Sequence, residues 1–302
     1  MTLIQLTYFI RAVEMQSLSK AASVVRIAQP ALGRQIRSLE RELGVELLVR
    51  HGWGVTATPA GAVLVEHGRQ ILKTVEAART AVSGLAASPT GPVSLTVPST
   101  LAMTLLPLVS TGLRDRYPDI RPHFMDSFTS GTPARLLAGQ LDLAILNRTV
   151  VLDPLIGTPL LSEDLALVGR PGVAPGGGAS TSEILRATPL VLPSRPNSLR
   201  LLVDQATRGA TENIALETDS LPAMLGIAKV GRAFAVLPFS TVVDDVTDGK
   251  LVAHSFGDPA MSWTLALVRV PGRQMSPAMI AVENEVRKAV RDLATERRWT
   301  PH

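Results

Sequence analysis

Leu64, Gly68, Ile71, Val75, Ala78, Val82 and Leu85 follow one another at spacings of 4, 3, 4, 3, 4 and 3. This is the a/d rhythm of a coiled-coil seam, flawed only by Gly68. It requires one long helix, and the flanking residues mark where that helix starts and stops. Thr58-Pro59 caps it at one end, and Ala87-Ser88-Pro89-Thr90-Gly91-Pro92 breaks it at the other. The chain of 302 residues is therefore divided into a small head, a connecting helix and a large body. A stripe of this kind also suits a helix packed on its own domain. Its narrowness, directly after a small head, favours pairing with a second copy of the chain.

The head reads as three short helices. Leu6, Phe9, Ile10 and Val13 form the apolar stripe of the first. Ser19 is the expected N-cap of the second, which buries Ala21, Ala22 and Val25. The two alanines allow another helix to cross closely. The third opens at Gln29-Pro30, turns Leu32, Ile36, Leu39 and Leu43 inward, and stops at Gly44. Two helices joined by a tight turn, the second polar outside, make a helix-turn-helix over about residues 18–37. Leu47–Arg50, a turn at His51–Gly54, and Val55–Ala57 then form a hairpin, a wing beside that unit.

Charge follows the same division. Residues 1–80 hold ten Lys and Arg against six Asp and Glu, whereas the rest of the chain balances at twenty of each. A basic head on a neutral body fits a nucleic-acid-binding module. The 46% hydrophobic content excludes a disordered chain, and the absence of cysteine excludes disulfides, thiolate nucleophiles and cysteine-bound metals. The first residues carry no charge before Arg11, unlike a secretory leader. The uncharged run Thr80–Leu113 is interrupted by Pro89, Pro92, Pro98 and Pro107, so it cannot be a membrane span. A cytoplasmic protein without membrane contact is expected.

Beyond the break, strands and helices alternate. Strands are expected at Val93–Val97, Arg121–Met125 and Leu141–Ile145, with helices over Thr100–Arg116 and around Pro133–Ala138. A second cycle holds strands Leu165–Val168, Leu190–Leu192 and Phe234–Leu237 and a helix from Leu199. Two α/β lobes of this kind suit a hinged binder of a small molecule. Gly172, Gly176, Gly177 and Gly178 lack the Lys-Ser/Thr of a phosphate cradle and read as a flexible surface loop.

Ser19-Lys20-Ala21-Ala22, Ala28-Gln29-Pro30-Ala31-Leu32, Arg34-Gln35-Ile36, Leu39-Glu40 and Glu42-Leu43-Gly44 resemble the head of the LysR-type transcriptional regulators. So do Leu47-Leu48-Val49-Arg50 and Thr58-Pro59-Ala60-Gly61. Tyr117-Pro118-Asp119, Leu141-Asp142-Leu143-Ala144-Ile145, Val230-Gly231 and Leu237-Pro238 match the effector-domain landmarks. Leu192-Pro193-Ser194-Arg195-Pro196-Asn197-Ser198-Leu199-Arg200 is similar to the branch of nitrogen-assimilation control regulators. Three positions depart from the family: Gly33 and Ala233 replace a usual Ser and a common Gly, and Trp53 stands where the wing usually carries a basic residue.

The resemblance implies an α/β chain with an N-terminal winged helix-turn-helix (1–58), a linker dimerisation helix (59–88) and an effector domain (89–302). That domain would resemble type 2 periplasmic binding proteins, with lobes of about 89–162 plus 268–302, and 163–267. The implied partners are double-stranded promoter DNA, a small-molecule effector, further copies of the chain up to a homotetramer, and RNA polymerase; no cofactor or metal is implied. At the DNA, Gln29 can pair with adenine, and Pro30 and Ala31 can touch thymine methyls. Arg34 can reach guanine or phosphate, Arg37 and Arg50 hold phosphates, and Trp53 lies on the wing.

In the family, the effector lies where Ser99-Thr100 open a helix after the first strand. Thr129 and Asn147 are the expected partners there, and Ser99 can equally be a plain N-cap. Arg200, opening a helix of the second lobe, would make the cleft electropositive and favour an anion, or else is a surface residue. A solute-binding protein would leave the head unexplained. An enzyme finds no support in His51, His67, His123, His254 and His302, which lack metal-ligand spacing, nor in any GxSxG or HExxH run. Asp142 reads as structural or ligand-orienting.

Overall fold

Thr2 starts the first helix with a capping box: its hydroxyl accepts from the Gln5 N–H, and the Gln5 side chain accepts from the Thr2 N–H. The structure is a computed structural model and describes residues 1–83, 88–126, 131–151, 153–210, 213–256, 258–297 and 299–302. The chain divides into two compact units, a head over Met1–Ala86 with Leu137–Gln140, and a body over Ala87–Leu136 and Leu141–His302.

The head holds α1 (Leu3–Met15), α2 (Leu18–Val24), α3 (Gln29–Leu43), an antiparallel hairpin β1 (Leu48–His51) and β2 (Gly54–Ala57), and α4 (Pro59–Ser83). Ser17 caps α2 through its hydroxyl. The expected cap, Ser19, sits inside the first turn instead. Leu6, Phe9 and Ile10 of α1, Ala21 and Ala22 of α2, and Leu32, Ile36 and Leu39 of α3 make one core. Each fully buried Leu or Ile contributes about 1.5–3 kcal/mol. Leu43, expected on that stripe, is 40% exposed, because α3 runs past the core before Gly44 ends it at φ +70°.

The periodic helix α4 serves two surfaces. Thr58 caps it, accepting from the Gly61 N–H at 3.0 Å. Val65 and Gly68 are buried, and Leu64 and Leu72 pack on the head's own core. Gly68 is no flaw in a seam: a Cβ there would lie 2.7 Å from Leu6 Cδ1, so glycine allows α1 to approach. Ile71, at 37% exposure, and Ala78 face outward. Leu85, the last seam position, lies outside the described residues.

The body begins with β3 (Gly91–Val97), α5 (Ser99–Arg116), β4 (Ile120–Asp126), α6 (Thr132–Leu137) and β5 (Leu143–Asn147). β3 pairs in parallel with β4 and β5. The long strand β6 (Ile156–Gly169) follows, then α7 (Thr181–Ala187), β7 (Leu190–Leu192), α8 (Ser198–Ala206), β8 (Ile214–Glu217), α9 (Leu221–Val230) and β9 (Phe234–Pro238). The chain continues with α10 (Phe239–Thr247), β10 (Val252–Ser255), β11 (Ser262–Arg269), α11 (Pro277–Arg297) and β12 (Thr300–Pro301). The strand order is β4-β3-β5-β11-β6-β9-β7-β8, with β10 and β12 also on β6.

One strand thus belongs to both lobes. Ile156–Asp164 of β6 pairs with β11, and Leu165–Val168 pairs with β9. The second crossing precedes β11, whose Leu265–Val268 pairs with β5. The first lobe therefore regains the chain at about Ser262 rather than at 268, because β11 completes its sheet. Alternating apolar residues could not reveal which sheet the strand joins. The glycine run is not loose: the Gly176 N–H donates to Thr188 Oγ1 at 2.9 Å, and a Cβ on Gly178 would press on Glu183 and Ile184 of α7.

Candidate functional site

In the head, the buried residues Leu32, Gly33, Ile36 and Leu39 leave the opposite face of α3 in solvent. Gln29, Pro30, Arg34, Gln35 and Arg37 are exposed there, and Ala31 is half-buried. Arg41 continues this face one turn further. Among the described residues no carboxylate pairs with Arg34, Arg37 or Arg41, which line one groove of about 650 Å³ with Glu40 and Glu46. The sequence reading missed Arg41, although its i, i+7 relation to Arg34 puts both on one side of the helix. Glu40, at the edge of that groove, is engaged by the backbone instead, its Oε1 accepting the Leu47 and Leu48 N–H groups at 3.0 and 3.2 Å. It thereby fastens the hairpin to α3. Arg50 is exposed on β1. At the hairpin tip, Trp53 is 75% exposed and lies flat on His51, with centroids 4.7 Å apart and 6° between planes.

In the body, the parallel strands β3 and β5 both end on the side where α5 begins. Pro98 is the N-cap of α5 and Ser99 its first helical residue, so Ser99 does not cap it. The first-turn N–H groups of Ser99 and Thr100 have no intrahelical partner. Thr100 and Asn147 are buried, at 6% and 2% exposure, and both Thr100 Oγ1 and Asn147 Nδ2 lack a hydrogen-bond partner. Asn147 Oδ1 is occupied, accepting from the Thr149 N–H and hydroxyl at 2.9 and 2.8 Å. Asn147 is one of the residues lining a cavity of about 420 Å³, with Arg148 and Thr149, Trp263 of β11, and Leu202 of α8. Both lobes therefore contribute walls. Thr129 lies outside the described residues.

Arg200 is neither a cleft cation nor a surface residue. It is buried, donating from Nε to Asp204 at 3.0 Å and from Nη1 to Glu217 and to the Pro193 carbonyl. Burial works against its charge, but Glu217 and Asp204 outweigh that and hold its pKa above the ordinary value. The strand carrying Glu217 follows α8, and this pairing was hidden from local sequence reading. Asn197 caps α8.

Asp142 is structural. It accepts from the Ser94 N–H and hydroxyl at 2.9 and 2.6 Å and from Arg273 at 2.6 Å, tying the approach to β5 onto β3.

A further carboxylate sits where β6 crosses between lobes. Glu163 is buried and accepts from the indoles of Trp263 at 3.1 Å and Trp299 at 2.9 Å, and from Ser240 of α10. Desolvation outweighs these donors and raises its pKa. No group of three or more potential metal-binding side chains occurs among the described residues, and no described helix is long and apolar enough to cross a membrane.

Two family profiles match the chain: the bacterial regulatory helix-turn-helix protein, lysR family, over residues 3–62, and the LysR substrate binding domain over residues 86–291. The chain belongs to the LysR family.

Among its relatives is the nitrogen assimilation regulatory protein nac of Klebsiella aerogenes, 34% identical over 94% of this chain and 93% of that one. The solved structure of a full-length OxyR variant from Pseudomonas aeruginosa shares the fold with a TM-score of 0.74 at 24% identity, over 96% of this chain and 95% of that one. Full-length CbnR complexed with its target DNA matches with a TM-score of 0.66 at 22% identity, over 96% and all of that chain.

As a LysR-type transcriptional regulator, the protein binds DNA through the head and carries an effector-binding body. Family members bind promoter DNA and small-molecule effectors, and they oligomerise.

Proposed function

We propose that α3 enters the major groove of promoter DNA, with Gln29, Pro30, Ala31 and Arg34 at base edges and Arg37, Arg41 and Arg50 on phosphates. The observation that carries this reading is the exposed face of α3, where three arginines have no carboxylate partner among the described residues. A helix face kept cationic and unpaired suits a polyanion. The test is a mobility shift with duplexes enriched by the wild-type protein from a random-sequence pool. Arg34→Ala should lose about 1–3 kcal/mol of specific binding. Unchanged affinity would sink the assignment.

The effector is read as a small molecule bearing acceptor oxygens, a carboxylate being the simplest. Asn147 Nδ2, the Ser99 and Thr100 N–H groups, and Arg148 on the cavity wall support that chemistry. Arg200 is withdrawn from this role because two carboxylates already hold it. Calorimetry with a panel of small acids, amides and amines should find acids preferred, and Asn147→Ala should weaken them.

The protein works in the cytoplasm as a dimer of dimers on an imperfect inverted repeat, with RNA polymerase as a further partner. Ile71 and Ala78, outward on α4, support copy-to-copy pairing. Replacing Ile71 and Val75 by Asp should lower the solution mass in sedimentation. An unchanged mass would refute that contact.

A further inference from the structure

Of the three tryptophans, Trp263 and Trp299 are buried and hydrogen-bonded to Glu163, whereas Trp53 stands in solvent at 75% exposure. It occupies a two-residue turn, Gly52-Trp53, at the end of a regular hairpin in which His51 pairs with Gly54. Its position is held from several sides. His51 Nε2 shares a hydrogen bond with Thr56 Oγ1 at 3.0 Å, which fixes the imidazole on which the indole lies. The base of the hairpin is clamped to α3 by Glu40, and the Val55 N–H donates to the Gln16 carbonyl at 3.0 Å. The tip is therefore a rigid aromatic plate at a set distance from the exposed face of α3.

We infer that the Trp53–His51 stack packs into the minor groove flanking the operator's major-groove site and reads its width through an apolar contact rather than a charge. This rests on α3 lying in the major groove. Strands of four residues at about 3.4 Å each carry the tip ~13 Å from its anchor, enough to pass the phosphate ridge beside the major groove. A large planar indole is suited to sugar and base edges, and its Nε1–H can donate to the A N3 or T O2 acceptors that line a minor groove. Two stacked rings are about 7 Å thick, against a groove about 6 Å wide. The stack therefore fits a groove that opens easily, at TA or TG steps, and is excluded from a stiff, narrow A-tract. Because the indole is uncharged, its contact releases no counterion, so the contribution of Trp53 is insensitive to salt.

The buried environment of the other two indoles makes Trp53 the one an aqueous quencher reaches most easily. The test uses the full chain and duplexes enriched from a random pool by the wild-type protein. Acrylamide should quench the free protein, chiefly through Trp53, and lose much of that access once duplex is bound. Trp53→Ala should bind about 5–20-fold more weakly with an unchanged slope of log affinity against log salt. Trp53→Arg should recover affinity at low salt while steepening that slope by about one. Exchanging flanking TA or TG steps for an A-tract should weaken the wild type and leave Trp53→Ala indifferent. Undiminished acrylamide access in the complex, together with wild-type affinity in Trp53→Ala, would overturn the inference. Arg34→Ala reports on α3 separately: loss of binding there, with Trp53→Ala unaffected, means the wing inference alone has failed.

Discussion

The exposed face of α3 in the head and the buried cleft region of the body hold their polar groups differently. On α3, Arg34, Arg37 and Arg41 point outward with no carboxylate partner among the described residues. In the body, prominent cations are matched: Arg195 and Arg200 to Asp204, Arg200 also to Glu217, Arg116 to Glu285, and Arg273 to Asp142. Among the described residues, the body also buries neutral dipoles with no partner, including Thr96 Oγ1, Thr100 Oγ1 and Asn147 Nδ2. A polyanion supplies its own countercharge to exposed cations, at little desolvation cost. A small ligand entering a cleft must replace water at specific donors, and a donor waiting there unpaired gains the most from it. Exposure of unpaired charge and burial of unpaired dipoles are thus signatures of two different partners.

The sharpest way to break this contrast is to remove one arginine from each unit. Arg200→Ala strands Asp204 beside Arg195 alone and should cost about 2–3 kcal/mol in urea unfolding, discounted because Glu217 is half exposed. Arg34→Ala, by contrast, should stay within about 0.5 kcal/mol of wild type, as exposed substitutions do. Equal losses in both would erase the distinction.

Glu163 sharpens the same point, since it is a buried carboxyl group satisfied by donors and not by a cation. At pH 5, Glu163→Gln should lose about 1–2 kcal/mol, because its amide N–H₂ must face an indole or hydroxyl donor. The pH dependence has a definite sign. The folded pKa is raised, so the native state holds the proton more tightly than the unfolded chain. That contribution is fully present below the ordinary carboxylate pKa of about 4.5 and is lost as pH rises through the folded value. The gap between wild type and Glu163→Gln should therefore narrow with rising pH in urea titrations. A gap that widens would contradict the assignment.

The smallest expected effect is at Gly33. A Cβ there would meet only Arg37 Nη1, at an ordinary 3.6 Å. Gly33→Ser should raise stability by about 0.5 kcal/mol through helix propensity, as read from the thermal midpoint. It should leave effector binding untouched, since the change lies in the head.

Much of the head was legible because its signals are local. Gln29-Pro30 at the start of α3, Gly44 at its end, the Thr58-Pro59 cap and the hairpin around Gly52-Trp53 depend on residues a few positions apart. The alternation of strands and helices in the body was legible for the same reason. Local signals also misled: Ser17 and Ser19 are equally good caps by composition, and only the path of α2 selects Ser17.

The sequence alone determined the order of elements in the head and the first strands and helices of the body, the break after the long helix, and the outward face of α3, all consequences of periodicity and capping. Tertiary structure decided whatever depends on residues far apart in the chain. Gly68 reads as a weak point in a seam until Leu6 is seen against it. Arg200 reads as a free cation until β8 brings Glu217 to it. The donors around Glu163 come from residues 240, 263 and 299, and β11 joins the first lobe by pairing with β5. The reason is physical: helix and turn preferences act over a few residues, whereas the partner of a buried charge is set by which distant segments the sheet brings together.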